Sequence, residues 1–178
     1  MSDLTKRYPW YDIVEGNDLE QGDIIECCPV SVATETETVD GRWKLQWEER
    51  DLIVLSQSCD LVIGREKVSE VLMAAVWRQS ELNGHLATNR GLEDARRGNL
   101  PGVHLLAANE FVETTVSEVR VVDFRRISAL PLTFLRTRIL TQQRRVRLLP
   151  PYREHLSQAF ARFFMRVGLP VDIPAFRE

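Results

Sequence analysis

The sequence predicts a mainly β protein, in which a strongly curled antiparallel sheet is closed by a C-terminal helix. Three observations lead to this prediction. Short apolar runs rich in β-branched residues recur along the chain, most clearly from Leu52 to Leu55. Asp40-Gly41, a typical two-residue hairpin turn, separates two segments of alternating polarity. Near the end of the chain, the apolar spacing changes to the 3.6-residue period of a helix.

The length and composition indicate one domain with its own core. The chain has 178 residues, of which 44% are hydrophobic. We expect a single domain over 1–178, with an irregular N-terminal arm over 1–20, a β-barrel body over 21–149 and a helix over 150–168. No segment approaches the ~18 apolar residues of a membrane span, and no signal-peptide pattern occurs. The three cysteines are typical of reduced thiols, so we expect a cytoplasmic protein without membrane association.

The first strand is predicted from Ile24 to Val32, and we expect it to bend or end at Pro29. Threonine and glutamate then alternate from Thr34 to Thr38, as in a solvated edge strand. After the Asp40-Gly41 turn, residues 42–48 alternate again, which makes this region a hairpin.

That hairpin, over 35–48, has one aromatic face, because alternation places Trp43, Leu45 and Trp47 on the same side. Exposed aromatic side chains are typical of binding surfaces. The hairpin is therefore the predicted surface for a homodimer or another protein partner.

The run from Asp51 to Ser56 predicts a strand buried on both faces at the centre of the fold. The next apolar segment, Val68 to Trp77, fits a helix or a strand, and its β-branched residues favour the strand. Residues 80–102 predict a loop with one small helix over 92–97, which ends at Gly98.

Two further strands are predicted over 103–106 and 118–127. In the second, Arg120, Val122 and Phe124 fall on one face, and Val119, Val121 and Asp123 fall on the other. Residues 134–139 fit either a helical turn or a strand.

The C-terminal helix has the clearest periodicity of the chain. Pro150-Pro151 precede it, and Leu156, Phe160, Phe163 and Val167 recur at spacings of four, three and four. Gly168 and Pro170 provide the stop signal. This aromatic stripe predicts a face that packs on the core.

Charge is distributed unevenly along the chain. Residues 1–64 contain 14 acidic and 5 basic residues, whereas residues 111–178 contain 6 acidic residues and 12 arginines. Arginine holds phosphate and carboxylate in a bidentate way, so the arginine-rich part is a candidate contact for nucleic acid or another anion. The alternative is that these arginines pair with the acidic half of the chain or remain solvated. The candidate contacts are Arg138, Arg144, Arg145, Arg147 and Arg153.

The polar loop after the central strand is the candidate catalytic loop, with Ser56, Cys59 and Asp60. A cysteine becomes nucleophilic where a cation or a histidine favours its thiolate, and His104 and His85 are the candidate bases. The alternative is that Cys59 is a small buried apolar residue and that Asp60 caps the following turn.

The sequence predicts no metal and no cofactor. The adjacent Cys27 and Cys28 point to opposite sides of a strand and cannot act as paired zinc ligands. The glycine-rich loops that bind nucleotide phosphates are also missing from the chain.

Two segments resemble the MazF/PemK-like toxins. Gln21-Gly22-Asp23-Ile24-Ile25 is similar to the Gly-Asp-Ile-Val opening of that family, and residues 50–56 are similar to its Arg-Pro-Ala-Leu-Val-Leu-Ser strand. The resemblance covers about residues 21–78. It implies an SH3-like barrel, a bacterial toxin-antitoxin or defence role, and RNA cleavage with Arg50 in the site. Residues 75–78, at the end of the next strand, lack the family's catalytic threonine.

We therefore expect a non-catalytic binding module for protein or RNA, because the catalytic set of the family is incomplete. A MazF-like endoribonuclease is one alternative. A thiol-dependent hydrolase or redox sensor centred on Cys59 is the other.

Overall fold

A computed structural model describes residues 8–37, 43–108 and 118–165 of the chain. Seven strands form one antiparallel sheet, and three helices accompany it, so the predicted mainly β class is confirmed. The strands are β1 (Tyr11–Glu15), β2 (Asp23–Glu37), β3 (Trp43–Val54), β4 (Glu70–Arg78), β5 (Val103–Leu106), β6 (Arg120–Pro131) and β7 (Arg144–Leu148). The helices are α1 (Asn89–Arg96), α2 (Leu132–Gln142) and α3 (Tyr152–Phe164). Among the described residues, no helix is long and apolar enough to span a membrane.

The sheet is open, and the prediction of a strongly curled, closed barrel is not supported. The strand order is β1-β7-β2-β3-β4-β6-β5, which leaves β1 and β5 as edges in the described part of the chain. A barrel would need a backbone ladder between these two edges. What links β1 to the segment after β5 is a side-chain hydrogen bond, donated by Tyr11 Oη to the Ala107 carbonyl at 2.7 Å. The C-terminal helix covers one face of the sheet and does not close it.

Each face of the sheet has its own apolar core. Leu52 and Val54 of β3 pack on one side with Leu135 and Ile139 of α2. Their neighbours Ile53 and Leu55 pack on the other side, where Leu156 of α3 is fully buried. The prediction of a central strand buried on both faces is therefore confirmed.

Several local predictions are resolved by the strand pairing. Residues 70–78 form a strand, as the β-branched content favoured, and residues 132–142 form a helix, one of the two alternatives left open. β2 continues through Pro29, whose neighbour on one side is Glu49 of β3. The irregularity lies two residues earlier, where Cys27 has a φ of 52° and a bulge interrupts the pairing.

Two strands lie where the sequence pattern predicted none. β1 falls within the N-terminal segment 1–20, which was predicted to be irregular, and β7 falls on the arginine cluster. They pair with each other along their full length, from Tyr11 opposite Leu148 to Glu15 opposite Arg144. Both strands are rich in charged residues, so apolar alternation does not reveal them. These charges form ion pairs in the fold, which explains why strands form here.

A two-stranded ribbon extends beyond the sheet. In the described residues, 28–37 of β2 and 43–50 of β3 pair only with each other, because β7 joins β2 at Asp23 and Ile24 and β4 joins β3 from Asp51 onwards. We call residues 28–37 and 43–50 the arm. The predicted hairpin is thus confirmed, although its Asp40-Gly41 turn lies outside the described residues, as do Val167, Gly168 and Pro170 at the end of α3.

A buried ionic network joins the beginning of β2 to β7. The Asp23 side chain is fully buried and accepts hydrogen bonds from Arg145 Nε at 2.7 Å and from Arg147. Arg145 also donates to the carbonyls of Gly16 and Asp18. Hydrogen bonds from two guanidinium groups compensate the desolvation of this carboxylate.

We expect Asp23→Asn to lower the free energy of unfolding by about 3 kcal/mol or more, because it leaves two arginines without their buried counter-charge. Urea denaturation followed by circular dichroism measures this change. Glu15→Gln is the matched control, since its partner Arg144 is exposed and such a pair contributes little. A loss below about 1 kcal/mol for Asp23→Asn would show that the network is not a main source of stability.

Candidate functional site

The two serines of the predicted catalytic loop hold the loop in place. Ser56 Oγ accepts a hydrogen bond from the Leu72 amide at 2.9 Å, and Ser58 Oγ accepts one from the Gln21 amide at 3.1 Å. The Gln21 side chain, in turn, donates to the Leu55 carbonyl at 2.8 Å. Both hydroxyls therefore act as turn-forming acceptors, which does not favour a nucleophilic role for Ser56.

Cys59 lies next to a lysine–aspartate pair on the surface of this loop. Its side chain is exposed, with Sγ 3.6 Å from Asp60 Oδ1 and 4.0 Å from Lys67 Nζ. Lys67 donates to Asp60 at 3.0 Å, and this hydrogen bond lowers the pKa of Asp60 and raises that of Lys67. The alternative of a buried apolar Cys59 is wrong, because the thiol faces solvent.

None of the three histidines forms a hydrogen bond with Cys59. His85 Nε2 lies 3.1 Å from Asp94, while His104 and His155 line a cavity between α1, β5 and α3. The structure thus separates both candidate bases, His85 and His104, from the thiol. Lys67, eight residues after Cys59, is the polar neighbour that the sequence reasoning missed.

Arg50, the residue that the family resemblance assigns to RNA cleavage, is paired within its own strand. Its Nε and Nη2 both donate to Glu48 Oε2, and the arginine side chain is 11% exposed. Arg50 lies opposite Cys28, on the same side as the α2 core. The structure therefore does not bring Arg50 together with Ser56, Cys59 and Asp60 in one hydrogen-bonded set.

The five candidate anion contacts all donate to oxygens of the chain itself. Arg145 and Arg147 bind Asp23, and Arg153 approaches Glu20, which also binds Arg147. Arg144 pairs with Glu15, and Arg138 donates to the carbonyls of Glu26 and Cys27. These contacts favour the alternative in which the arginines pair with the acidic half of the chain. The resulting network explains why charged residues cluster in β7.

The arm carries an exposed apolar strip on one face. Leu45 and Trp47 are each 70% exposed, and alternation places them on the same side of β3. They lie opposite Ala33 and Ser31 of β2, two small residues that leave the larger side chains uncovered. Both edges of the arm lack a neighbouring strand in the described part of the chain. The arm thus combines apolar surface with unpaired backbone groups.

A charged cluster lies at the base of the arm. Arg120 reaches Glu26 at 3.2 Å, although β3 and β4 separate β6 from β2 in the sheet. Beside it, Arg78 lies 3.5 Å from Asp51, whose other oxygen accepts from the Cys27 amide at 3.0 Å. The Arg120 side chain is 3% exposed, and its Nε and Nη1 have no partner among the described residues.

The signal for this cluster was present in the sequence, because alternation placed Arg120 on one face with Val122 and Phe124. Both neighbours are buried in the core under α3. An arginine on an apolar strand face is unusual, since buried arginines require partners. Its meeting with Glu26 depends on tertiary structure and was not predicted.

Metal ligands are not grouped in the part of the chain that the structure describes: no three His, Cys, Asp or Glu side chains lie close enough together to hold an ion. Cys27 is exposed and Cys28 is buried, as expected for adjacent residues of a strand.

Comparison with protein-family models, curated proteins and solved structures finds no match to this chain. The resemblance to MazF/PemK-like toxins therefore stays a prediction, and the function has to be argued from the geometry.

We expect Arg120→Met to raise the free energy of unfolding by about 1 kcal/mol, because it removes buried donors that lack partners and keeps most of the apolar stem. Glu26 loses one contact but is 37% exposed and becomes hydrated. Urea denaturation measures the change, with Arg126→Met as the control at an exposed arginine of the same strand. A clear loss of stability in Arg120→Met would instead assign the Arg120–Glu26 pair a structural role.

Proposed function

We propose that this chain is a non-catalytic protein-binding module that associates through its arm, and that the arm pairs with the arm of a second copy. The observation that carries this proposal is the exposed strip of Leu45 and Trp47 on a ribbon whose two edges are free in the described residues. Free strand edges add further strands readily. Exposed tryptophan is among the residues that contribute most to protein interfaces.

Charge favours protein over nucleic acid as the ligand of the arm. The arm contains Glu35, Glu37, Glu48 and Glu49 against only two basic residues, Lys44 and Arg50. Binding to a phosphate backbone requires an excess of cations, because its affinity comes mainly from neutralised phosphates. A ribbon with a net negative charge repels nucleic acid.

A second copy is the partner that matches the geometry. In a two-fold contact, the same patch faces itself, so Trp47 and Leu45 of one arm pack on the same residues of the other. A two-stranded ribbon of about ten residues per strand is about 33 Å long and about 10 Å wide, so one face covers roughly 330 Å². This area is smaller than the roughly 800 Å² per partner of a standard interface. We therefore expect a weak dimer, with a dissociation constant in the micromolar range.

The absence of catalysis is supported by how the predicted residues are used. Ser56 binds a backbone amide, and Arg50 binds Glu48. The segment that corresponds to the family's catalytic threonine is Ala75-Val76-Trp77-Arg78, which contains no threonine. A MazF-like endoribonuclease would need these groups free to reach RNA.

We expect sedimentation velocity between about 1 and 200 μM to show a monomer–dimer equilibrium that Trp47→Ser weakens at least tenfold, because the substitution removes the largest apolar contact. Leu140→Ser, at an exposed leucine on α2, is the matched control and should leave the equilibrium unchanged. A wild-type protein that stays monomeric at 200 μM, or a dimer insensitive to Trp47→Ser, would contradict pairing through the arm.

The same preparations test the endoribonuclease. Incubation with defined single-stranded RNAs should leave them intact. Cleavage at specific sites that disappears in Arg50→Ala would overturn the non-catalytic proposal and favour the alternative implied by the family resemblance.

The position of Lys67 supports a second candidate function, a thiol-dependent reaction at Cys59. Lys67 Nζ lies 4.0 Å from the sulfur, and a neighbouring cation is typical of reactive cysteines. Asp60 opposes this effect, because its Oδ1 lies 3.6 Å from the same sulfur and a neighbouring negative charge disfavours a thiolate. The balance of the two charges decides whether Cys59 reacts faster than an ordinary thiol.

If Cys59 is an activated thiol, iodoacetamide should label it faster at pH 7 than Cys27, the other exposed cysteine. Burial and the nearby carboxylates Asp51, Glu49 and Glu26 raise the pKa of Cys27, so it is the internal control. Lys67→Gln should slow the labelling of Cys59 several-fold, and Asp60→Asn should accelerate it. Peptide mass spectrometry measures each rate, and equal rates for both cysteines in all three proteins would rule out the thiol chemistry.

A further inference from the structure

A cavity of about 310 Å³ lies between the end of α1, β5 and α3, away from both the arm and the Cys59 loop. Its polar lining is basic or neutral, and no acidic residue lines it among the described residues. The polar groups are Arg96 and Arg97 from α1, His104 from β5, and His155, Gln158 and Arg162 from α3. Three elements distant in sequence thus place cationic and neutral polar groups around one space.

His104 supplies a buried nitrogen without a partner. Its Nε2 is inaccessible to solvent and has no hydrogen bond within the described residues. Burial, together with the charge of His155, lowers the pKa of His104 to about 4, so the ring is neutral at pH 7. Buried polar atoms in folded proteins almost always have a partner. His104 lines the cavity, so a rotation of the ring that turns Nε2 towards this space would let a bound group become its partner.

The rim carries more positive than negative charge. Arg96 and Arg97 both donate to Glu93, at 2.6–2.7 Å, so one carboxylate serves two guanidinium groups. Arg162 has no hydrogen bond or ion pair with the described residues, and the Gln158 amide is similarly uncommitted. Two positive charges therefore remain uncompensated around the cavity, which matches a dianion better than a monoanion.

We propose that this cavity binds a small organic phosphate, a monoester with one compact apolar substituent. A phosphate monoester carries a charge of about −1.5 to −2 at pH 7 and offers three acceptor oxygens to arginine. The substituent contacts Leu100, Pro101 and Val103 on the apolar side of the cavity. The volume is at the small end of the range for ligand pockets, which limits the ligand to about the size of a phenyl ester.

Phenyl phosphate is the probe for this site, and titration of the full chain is followed by calorimetry and by the imidazole signals of His104 and His155 in NMR spectra. We expect saturable binding with shifts at both histidines. Benzoate, a monoanion with the same ring, should bind more weakly, and benzamidine, a cation of similar size, should not bind. Inorganic phosphate alone should bind more weakly than the ester if the apolar side contributes.

Arg162→Gln should lower the affinity for phenyl phosphate about tenfold, the size of effect expected when a charge-assisted hydrogen bond is lost. Arg90→Gln is the matched control, since it removes one arginine of α1 that does not line the cavity. His104→Phe gives a second test and is interpreted only if circular dichroism shows a folded protein. Absence of binding at 10 mM phenyl phosphate, equal losses in Arg162→Gln and Arg90→Gln, or unshifted histidine signals would each overturn the proposal.

Discussion

The fold depends on one buried carboxylate. Asp23 is the first residue of β2, and both arginines that bind it belong to β7, more than 120 residues later. The interaction fixes where β7 joins the sheet, because Asp23 lies opposite Arg147 in the ladder. β1 then pairs along β7, so the register of the whole β1 edge depends on this network. A shift in register would separate Asp23 from its arginines, and a buried charge without its partners is costly.

The turn before Asp23 extends the same constraint to the candidate loop. Gly22 has a φ of 87°, and a Cβ at this position would meet Leu148 Cβ at 3.0 Å, so only glycine fits between β3 and β7. Its amide binds the Val54 carbonyl, and its carbonyl accepts from Leu148. Gln21, next to it, binds Ser58 and Leu55. The Gln21-Gly22-Asp23 segment thus fixes both the β7 edge and the loop that presents Cys59.

These contacts explain how much of the molecule could be predicted from the sequence. The buried strand around Leu52 and the arm follow from local patterns of apolar residues, and both predictions were right. β7 was missed because its arginines look like surface residues until Asp23 is placed against them. Strand order, and with it the open sheet, depends on pairing between distant segments that no local pattern encodes. For the same reason local patterns identify Cys59 but not Lys67, and they place Arg120 on an apolar face without revealing Glu26.

The internal pairing also determines which charges remain available for function. Glu15, Glu20, Asp23 and Glu26 of the acidic first part pair with arginines of the last part, so part of the charge asymmetry along the sequence is neutralised inside the fold. Two groups of charged residues outside this network lie in separate places. The arm contains more glutamates than basic residues, and the cavity beside α3 is lined by three arginines, two of which share Glu93. Because folding neutralises neither set, the partners that we propose are a protein surface rather than nucleic acid for the arm and a small anion for the cavity.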